Sequence, residues 1–233
     1  MNGSSKQLLN ANELRDSPIG ANCRMNRERQ LTGSNGYERD LAFDLLEFVT
    51  NIAATRPVTW LDLCCGSGRA LVEAAAMLKQ RPPSERVSIE GIDLAGLFVP
   101  NPHEDVLSLR VEPIEDWQPQ GPYDLITCVH GLHYVGDKLA AIAKGASRLS
   151  ASGRFLANLD LKNIRLSDGR PAARIIAAEL RRNGLTYDSR RRIVGCLGPR
   201  TVAFELQYMG ADDSAGPNYT GQPAVDSCYQ RCC

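Results

Sequence analysis

The sequence has few features that would attach the protein to a membrane or export it. No apolar run in its 233 residues approaches the roughly 20 residues that a helix needs to span a bilayer. Residues 1–17, MNGSSKQLLNANELRDS, lack the apolar core of a secretory signal. We therefore expect no membrane association and a cytoplasmic location.

Net charge is also absent, because 27 Lys and Arg residues balance 27 Asp and Glu residues. Proteins that grip DNA or RNA usually present a basic surface, so this balance argues against a nucleic-acid substrate. One basic cluster is present, and most such clusters are solvated faces of a fold. It consists of Arg181, Arg182, Arg190, Arg191 and Arg192.

Paired cysteine motifs are missing, although the chain contains eight cysteines. Four cysteines fall in or beside predicted strands, where a free cysteine acts as a small buried apolar residue: Cys64, Cys65, Cys128 and Cys196. This pattern suits a reducing compartment. The three cysteines near residue 233, Cys228, Cys232 and Cys233, have neither CxxC spacing nor a nearby histidine, so we predict no metal site.

The chain does contain a strand, a tight turn and a helix in direct succession. An apolar run that starts at Val58 is typical of a buried strand, and after the turn an alanine-rich stretch that favours a helix continues to Met77. Between them, Gly66 and Gly68 allow a ligand to come close to backbone N–H groups at the positive end of the helix dipole. The pattern indicates a ligand site, and glycines that serve packing alone are the alternative.

A second predicted strand, Val87 to Asp93, ends in an acidic residue. In nucleotide-binding α/β folds, an acidic residue at this place holds ribose hydroxyls. The sequence therefore predicts that Asp93 binds a ribose. The alternative is that Asp93 caps the turn before Leu94.

Three motifs in order resemble one family. DLCCGSG at 62–68, GID at 91–93 and YDLITCVHGLHYVGD at Tyr123–Asp137 are similar to the class I S-adenosylmethionine-dependent methyltransferases, and most to bacterial small-molecule enzymes. The resemblance covers about Gly33 to Tyr219 and is specific because the motifs have plausible βαβ spacing. Cys64 departs from the family, which often has glycine there, so Cys64 must accept the φ that the loop imposes.

This resemblance implies a Rossmann-like α/β fold with a seven-stranded, mostly parallel sheet, an antiparallel last strand and helices on both faces. It implies S-adenosylmethionine as the cofactor, with Asp93 on the ribose, Ile114 and Glu115 on adenine, and Tyr37 and Arg39 as candidates for the methionine carboxylate. A surface pair at a helix start is the alternative for the last two. The implied cofactor-binding residues are Tyr37, Asp62, Cys64, Gly66, Gly68, Asp93, Leu94, Ile114, Glu115 and His130.

The sequence also predicts how the chain is divided. Residues 1–36 are polar and are expected to be a flexible segment. Residues 37–210 should form the domain, beginning with one helix from Tyr37 to about Ala53 and ending in a hairpin of 190–197 and 201–209. Residues 211–233 lack periodicity, and we expect them either to line the acceptor pocket or to form a polar terminus.

His130 and His133 follow predicted strand four and are candidate catalytic residues. A histidine titrates near neutrality and can accept a proton from a hydroxyl or an amine. Position favours His133 for contact with the acceptor, with His130 as the second choice. A packed histidine that bonds a backbone carbonyl is the alternative for His133.

These observations predict methyl transfer from S-adenosylmethionine to a nitrogen or oxygen of a small molecule. Two other functions stay open: methylation of RNA or protein on the same fold, and cofactor binding without methyl transfer, as in a cyclase or a regulatory protein. The expected partner is a small-molecule acceptor, with no nucleic acid. A homodimer stays open as the assembly.

Overall fold

The computed structural model describes residues 8–17, 19 and 28–232. Within these residues the chain alternates between strands and helices, as the sequence predicts. The strands are β1 Val58–Leu63, β2 Val87–Asp93, β3 Leu107–Val111, β4 Tyr123–Cys128, β5 Leu149–Asn158, β6 Ile164–Leu166, β7 Thr186–Asp188, β8 Ile193–Leu197, β9 Leu206–Asp212 and β10 Asp226–Arg231. The α-helices are α1 Ala11–Arg15, α2 Tyr37–Leu41, α3 Leu45–Ala53, α4 Arg69–Lys79, α5 Lys138–Ser147 and α6 Ala173–Arg182.

Seven strands form the main sheet in the order β3-β2-β1-β4-β5-β8-β7. Every pair is parallel except the two pairs that contain β8. β1 and β4 are buried along almost their full length, which explains why they read as continuous apolar runs. The predicted Rossmann-like fold is confirmed, including the single antiparallel strand, which is the last strand of this sheet in chain order.

The predicted hairpin of 190–197 and 201–209 is wrong. β8 pairs with β5 on one side and with β7 on the other, so its hairpin partner precedes it. After β8 the chain turns away at Gly198, which has φ 67°. There Gly198 N–H bonds to Gly153 O and Arg200 N–H to Ala146 O, which directs the chain out of the main sheet.

The predicted single helix from Tyr37 to Ala53 is also broken. Ala42 has φ 49° and ends α2, and its N–H bonds to the carbonyls of Glu38 and Arg39. Asp44 then caps α3, because its side chain accepts from Glu47 N–H at 2.8 Å. The apolar spacing does indicate helical structure over this stretch, but the cap at Asp44 starts a second helix.

Residues near the two ends of the described chain form a second layer. β10 lies between β6 and β9 in a three-stranded sheet, and Leu9 bridges to Ala211. The predicted boundary at residue 210 therefore falls inside β9. Leu14 of α1 packs with Ala211 and Val225 in a small apolar cluster. Residues 8–17 and the 211–232 segment thus fold together.

A buried lysine ties this layer to the main sheet. Lys138 is fully buried, and its ammonium donates to Val135 O, Val225 O and Ser227 Oγ at 2.8 to 2.9 Å. Burial lowers the pKa of Lys138 to about 7. Ser227 Oγ itself donates to Gly136 O, so all three partners of the amine act as acceptors, which is the arrangement that an ammonium satisfies.

In the ranges that the structure describes, no helix combines the length and the apolar character that crossing a bilayer requires.

Candidate active site

The turn between β1 and α4 is held by an acidic residue. Gly66 N–H donates to Asp93 Oδ2 at 3.0 Å, and Ala95 N–H donates to Asp93 Oδ1 at 2.9 Å. One of the backbone N–H groups at the predicted ligand-binding turn, that of Gly66, is therefore already bonded to a side chain. Cys64 has φ 58°, so it does adopt the left-handed conformation that its place in the turn required.

Gly68, one of the predicted cofactor-binding residues, also meets a structural requirement of the turn. It is the N-cap of α4 with φ 72°, and a Cβ there would lie 2.8 Å from Leu109 Cδ1. Gly68 does not line the cleft beside the turn. Its need for glycine comes from left-handed backbone and packing against β3.

A cleft, called here the first cleft, opens at the carboxyl ends of β1, β2 and β4, where the strand order reverses. This is the place where open α/β sheets bind ligands. Seven of the predicted binding residues line it: Cys64, Gly66, Asp93, Leu94, Ile114, Glu115 and His130. Leu14 and Arg15 of α1 line it too, although the sequence assigned them to a flexible segment.

Two predicted binding residues, Tyr37 and Asp62, lie beneath the turn instead. Tyr37 is 2% exposed and Asp62 is 0% exposed. Tyr37 Oη donates to Asp62 Oδ2 at 2.7 Å and Thr127 Oγ1 donates to Asp62 Oδ1 at 2.5 Å. Trp60 Nε1–H donates to Thr127 Oγ1. Burial raises the pKa of Asp62 to about 7. The buried hydrogen bonds of this network support the turn from inside.

A second cleft lies on the other side of His130 and has a volume of about 450 Å³. Apart from His130, its walls come from three distant stretches: residues 29–40, the turn before β8, and residues 219–222. The lining residues are Arg29, Ser34, Asn35, Arg39, Asp40, His130, Arg191, Tyr219, Thr220 and Gln222. His130 thus lines both clefts.

Both ring nitrogens of His130 have protein partners. Nε2 lies 3.1 Å from Asp40 Oδ2, and Nδ1 lies 3.3 Å from His133 Nε2. Asp40 also pairs with Arg29. We assign the His130 proton to Nε2 because a carboxylate can only accept. Burial lowers the pKa of His130, and the hydrogen bond to Asp40 opposes that shift, so the ring is neutral near pH 7.

His133 stands behind His130. It is 0% exposed and belongs to neither cleft. Its Nε2–H donates to His130 Nδ1 under the same assignment, and its own Nδ1 is buried without a hydrogen-bond partner in the described part of the chain. Burial lowers the pKa of His133 well below its usual range. The geometry therefore favours His130 over His133 for acceptor contact, the reverse of the order expected from position.

Asn158 at the end of β5 joins the elements around His130. Its Oδ1 accepts from His130 N–H at 3.2 Å and its Nδ2 donates to Asp40 O at 3.1 Å. His130 has φ 58°, an uncommon conformation for a residue other than glycine. Strained backbone of this kind is found mostly where surrounding contacts enforce it at functional sites.

Several site residues escaped the sequence analysis. Arg29 lies in a segment assigned as flexible, Asp40 reads as a polar position on a helix, and Tyr219 belongs to a stretch without periodicity. Tyr219 packs against the His130 ring, with centroids 5.9 Å apart, and under the Arg192 guanidinium at 4.2 Å. Only the suggestion that residues 211–233 line a pocket pointed toward it.

The described residues contain no cluster of three or more His, Cys, Asp or Glu side chains that could hold a metal ion. Cys228 is buried in β10, whereas Cys232 is exposed.

The fold and the first cleft define a class I methyltransferase architecture. Residues 34–193 match a family model described as a methyltransferase domain, so the chain belongs to that family. The match confirms the class that the three motifs predict, and it supports S-adenosylmethionine as the cofactor. No curated protein matches the chain.

Solved structures similar to this chain include three proteins of low sequence identity. CalS10, an amino pentose methyltransferase from Micromonospora echinaspora with bound S-adenosylmethionine, is 17% identical over 61% of this chain, with a TM-score of 0.39. The plantazolicin methyltransferase BpumL with S-adenosylhomocysteine is 16% identical over 62% of this chain, with a TM-score of 0.43. YjhP from E. coli is 17% identical over 58% of this chain, with a TM-score of 0.40. The matches cover 56%, 54% and 54% of those chains, about half their length.

Proposed function

We propose that this protein transfers a methyl group from S-adenosylmethionine to a nitrogen or oxygen of a small molecule. The observation that carries the proposal is the position of His130, which separates a cleft suited to the cofactor from a polar cleft suited to an acceptor. Membership of the methyltransferase domain family supports the reaction type.

The residues of the first cleft fit the cofactor. Asp93 brings a carboxylate, a group that accepts hydrogen bonds from hydroxyls, to the end of β2 in the first cleft. Leu94 and Ile114 supply apolar surface for a purine ring. When bound, the cofactor supplies an electrophilic methyl group on a sulfonium, so the protein has to provide closeness, alignment and removal of one proton.

The proton is removed by the pair formed by His130 and Asp40. His130 is neutral near pH 7, Asp40 fixes its orientation, and the positive charge that arises on the ring is stabilised by that carboxylate. Taking up a proton at Nδ1 requires the contact with His133 to open. His133 is thus a positioning residue that holds the ring until the acceptor arrives.

Two observations support a small acceptor. The second cleft is bounded by three separate stretches and has a volume in the range of small-molecule sites. The zero net charge of the chain disfavours a nucleic-acid substrate. A gel shift at low salt with RNA tests that alternative, because nucleic-acid binding of this kind falls steeply with salt.

Calorimetry with S-adenosylhomocysteine tests the cofactor site. Asp93→Asn removes the charge while keeping the side-chain size, and the loss of charge-assisted bonds should weaken binding by roughly 10- to 100-fold. Asp105→Asn is the matched control, because Asp105 is an exposed carboxylate that pairs with Lys79 away from the cleft. Thermal unfolding of the Asp93 variant checks that the turn at Gly66 is retained.

Wild-type protein that does not bind S-adenosylhomocysteine would overturn the proposed function. Equal affinities of Asp93→Asn and wild type would leave the function standing and remove Asp93 from the site.

A further inference from the structure

The second cleft carries an excess of positive charge. Its lining includes three guanidinium groups, on Arg29, Arg39 and Arg191, and one carboxylate, on Asp40. The carboxylate is already shared between Arg29 and His130. Two cationic side chains therefore face the cleft without an acidic lining residue to balance them.

Neither of these two arginines is held firmly by an acid. Arg39 donates to the Ser34 carbonyl, and within the described residues it forms no ion pair. Arg191 pairs with Asp188 at 3.2 Å, but both side chains are well exposed, at 61% and 39%. An exposed pair of this kind contributes little stability, so the Arg191 guanidinium is available to exchange partners.

Guanidinium groups are suited to one ligand chemistry. Their planar fork of N–H donors matches carboxylate and phosphate oxygens and allows two parallel hydrogen bonds. Because Arg39 comes from α2 and Arg191 from the turn between β7 and β8, an anion between them would join two separate walls of the cleft. The rest of the molecule would then occupy the remainder of the cleft, which His130 and Tyr219 also line.

We propose that the methyl acceptor carries an anionic group, a carboxylate or a phosphate, which Arg39 and Arg191 bind in the second cleft, the cleft that the His130 base also lines. The identification of the bound molecule as the methyl acceptor rests on the proposed function. The anion site itself is a property of the cleft and can be measured alone. In this arrangement the anion anchors the molecule and leaves its neutral nucleophile at His130.

Benzoate and benzamide are the probes, because they have similar shape and differ in charge. Ligand-observed NMR measures the affinity of each for wild-type protein, with and without S-adenosylhomocysteine. We expect benzoate to bind about tenfold more tightly than benzamide, and Arg39→Gln and Arg191→Gln each to remove most of that difference. Arg181→Gln is the matched control, since Arg181 is an exposed arginine on α6 that belongs to neither cleft.

Competition with inorganic phosphate separates the two anion classes. Displacement of benzoate by phosphate at millimolar concentration supports a phosphate-bearing acceptor, and failure to displace it removes phosphate and retains the carboxylate. Equal binding of benzoate and benzamide, no binding of either, or full benzoate affinity in both arginine variants would overturn the anion site. Failure of the proposed function is a separate result, the absence of S-adenosylhomocysteine binding.

Discussion

Replacing Tyr37 with phenylalanine tests the buried network beneath the turn. The change removes one hydroxyl and keeps the ring, which is packed in the core and 2% exposed. The hydroxyl donates to Asp62 Oδ2 at 2.7 Å. Because Asp62 is 0% exposed, water cannot replace the lost donor, and the cost depends on the charge that Asp62 carries.

That charge gives the prediction a pH dependence. Burial raises the pKa of Asp62 from 3.8 to about 7, so between about pH 4 and pH 7 the folded state binds more protons than the unfolded state. Stability contributed by this group is therefore lost as the pH rises through that window. Tyr37 opposes the loss because its hydrogen bond favours the carboxylate. Tyr37→Phe should cost about 1 kcal/mol at pH 5, where Asp62 is neutral, and about 2–3 kcal/mol at pH 8, where it is charged.

Urea unfolding at pH 5 and pH 8 measures both values. Tyr208→Phe is the control, because Tyr208 Oη is buried with no hydrogen-bond partner among the described residues, and its loss should change stability little at either pH. A deficit for Tyr37→Phe that is the same at both pH values would refute the assignment of Asp62 as the titrating group. A deficit as large in the control would show that the hydroxyl matters through packing alone.

Four further variants test other parts of the structure. Lys138→Met leaves three buried acceptors without a donor and should lower the free energy of unfolding by about 3–5 kcal/mol. Urea unfolding measures this loss, and an unchanged midpoint would show that stability does not depend on the amine. Gly68→Val should destabilise the fold by about 2–5 kcal/mol, through strained backbone and the clash with Leu109. Calorimetry on the fraction that remains folded should still show binding of S-adenosylhomocysteine. A stable variant that cannot bind would show that Gly68 is needed for close approach of the ligand. His130→Asn should reduce radiolabelled methyl transfer, to an acceptor found by screening, by roughly 100-fold, while His133→Asn should mainly lower stability and shift the pH–rate profile; full turnover in both would leave catalysis to positioning alone.

Much of the first cleft could be predicted because its residues follow strand ends. Gly66, Asp93 and His130 each come directly after an apolar run, and the carboxyl ends of parallel strands meet at one edge of a sheet. Local pattern therefore places them together without knowledge of the rest of the chain. Asp93 lies at the end of β2 and lines the first cleft, but its bonds to Gly66 and Ala95 could not be predicted from spacing.

The second cleft and the buried network beneath the turn could not be predicted in this way. Asp40 reaches His130 across 90 residues, and Asp62 reaches Tyr37 and Thr127 across 25 and 65 residues. No periodicity records such pairs, since each polar residue alone looks like a cap or a solvated position. β10 was not predicted as a strand for a similar reason, because Asp226 and Ser227 are polar and yet buried.

The lysine that joins the two layers constrains the order in which the chain assembles. Its partners Val225 and Ser227 follow Lys138 by 87 and 89 residues, an interval of about 4–18 s at ordinary rates of translation. All seven strands of the main sheet precede residue 198, so that sheet can assemble on the ribosome while the Lys138 amine is still hydrated. Withdrawal of the amine from water is then a late, long-range step. By the same reasoning, release of β10 should be an early opening event in the folded protein, exposing amides next to Val225 to hydrogen exchange while those of β1 and β4 stay protected.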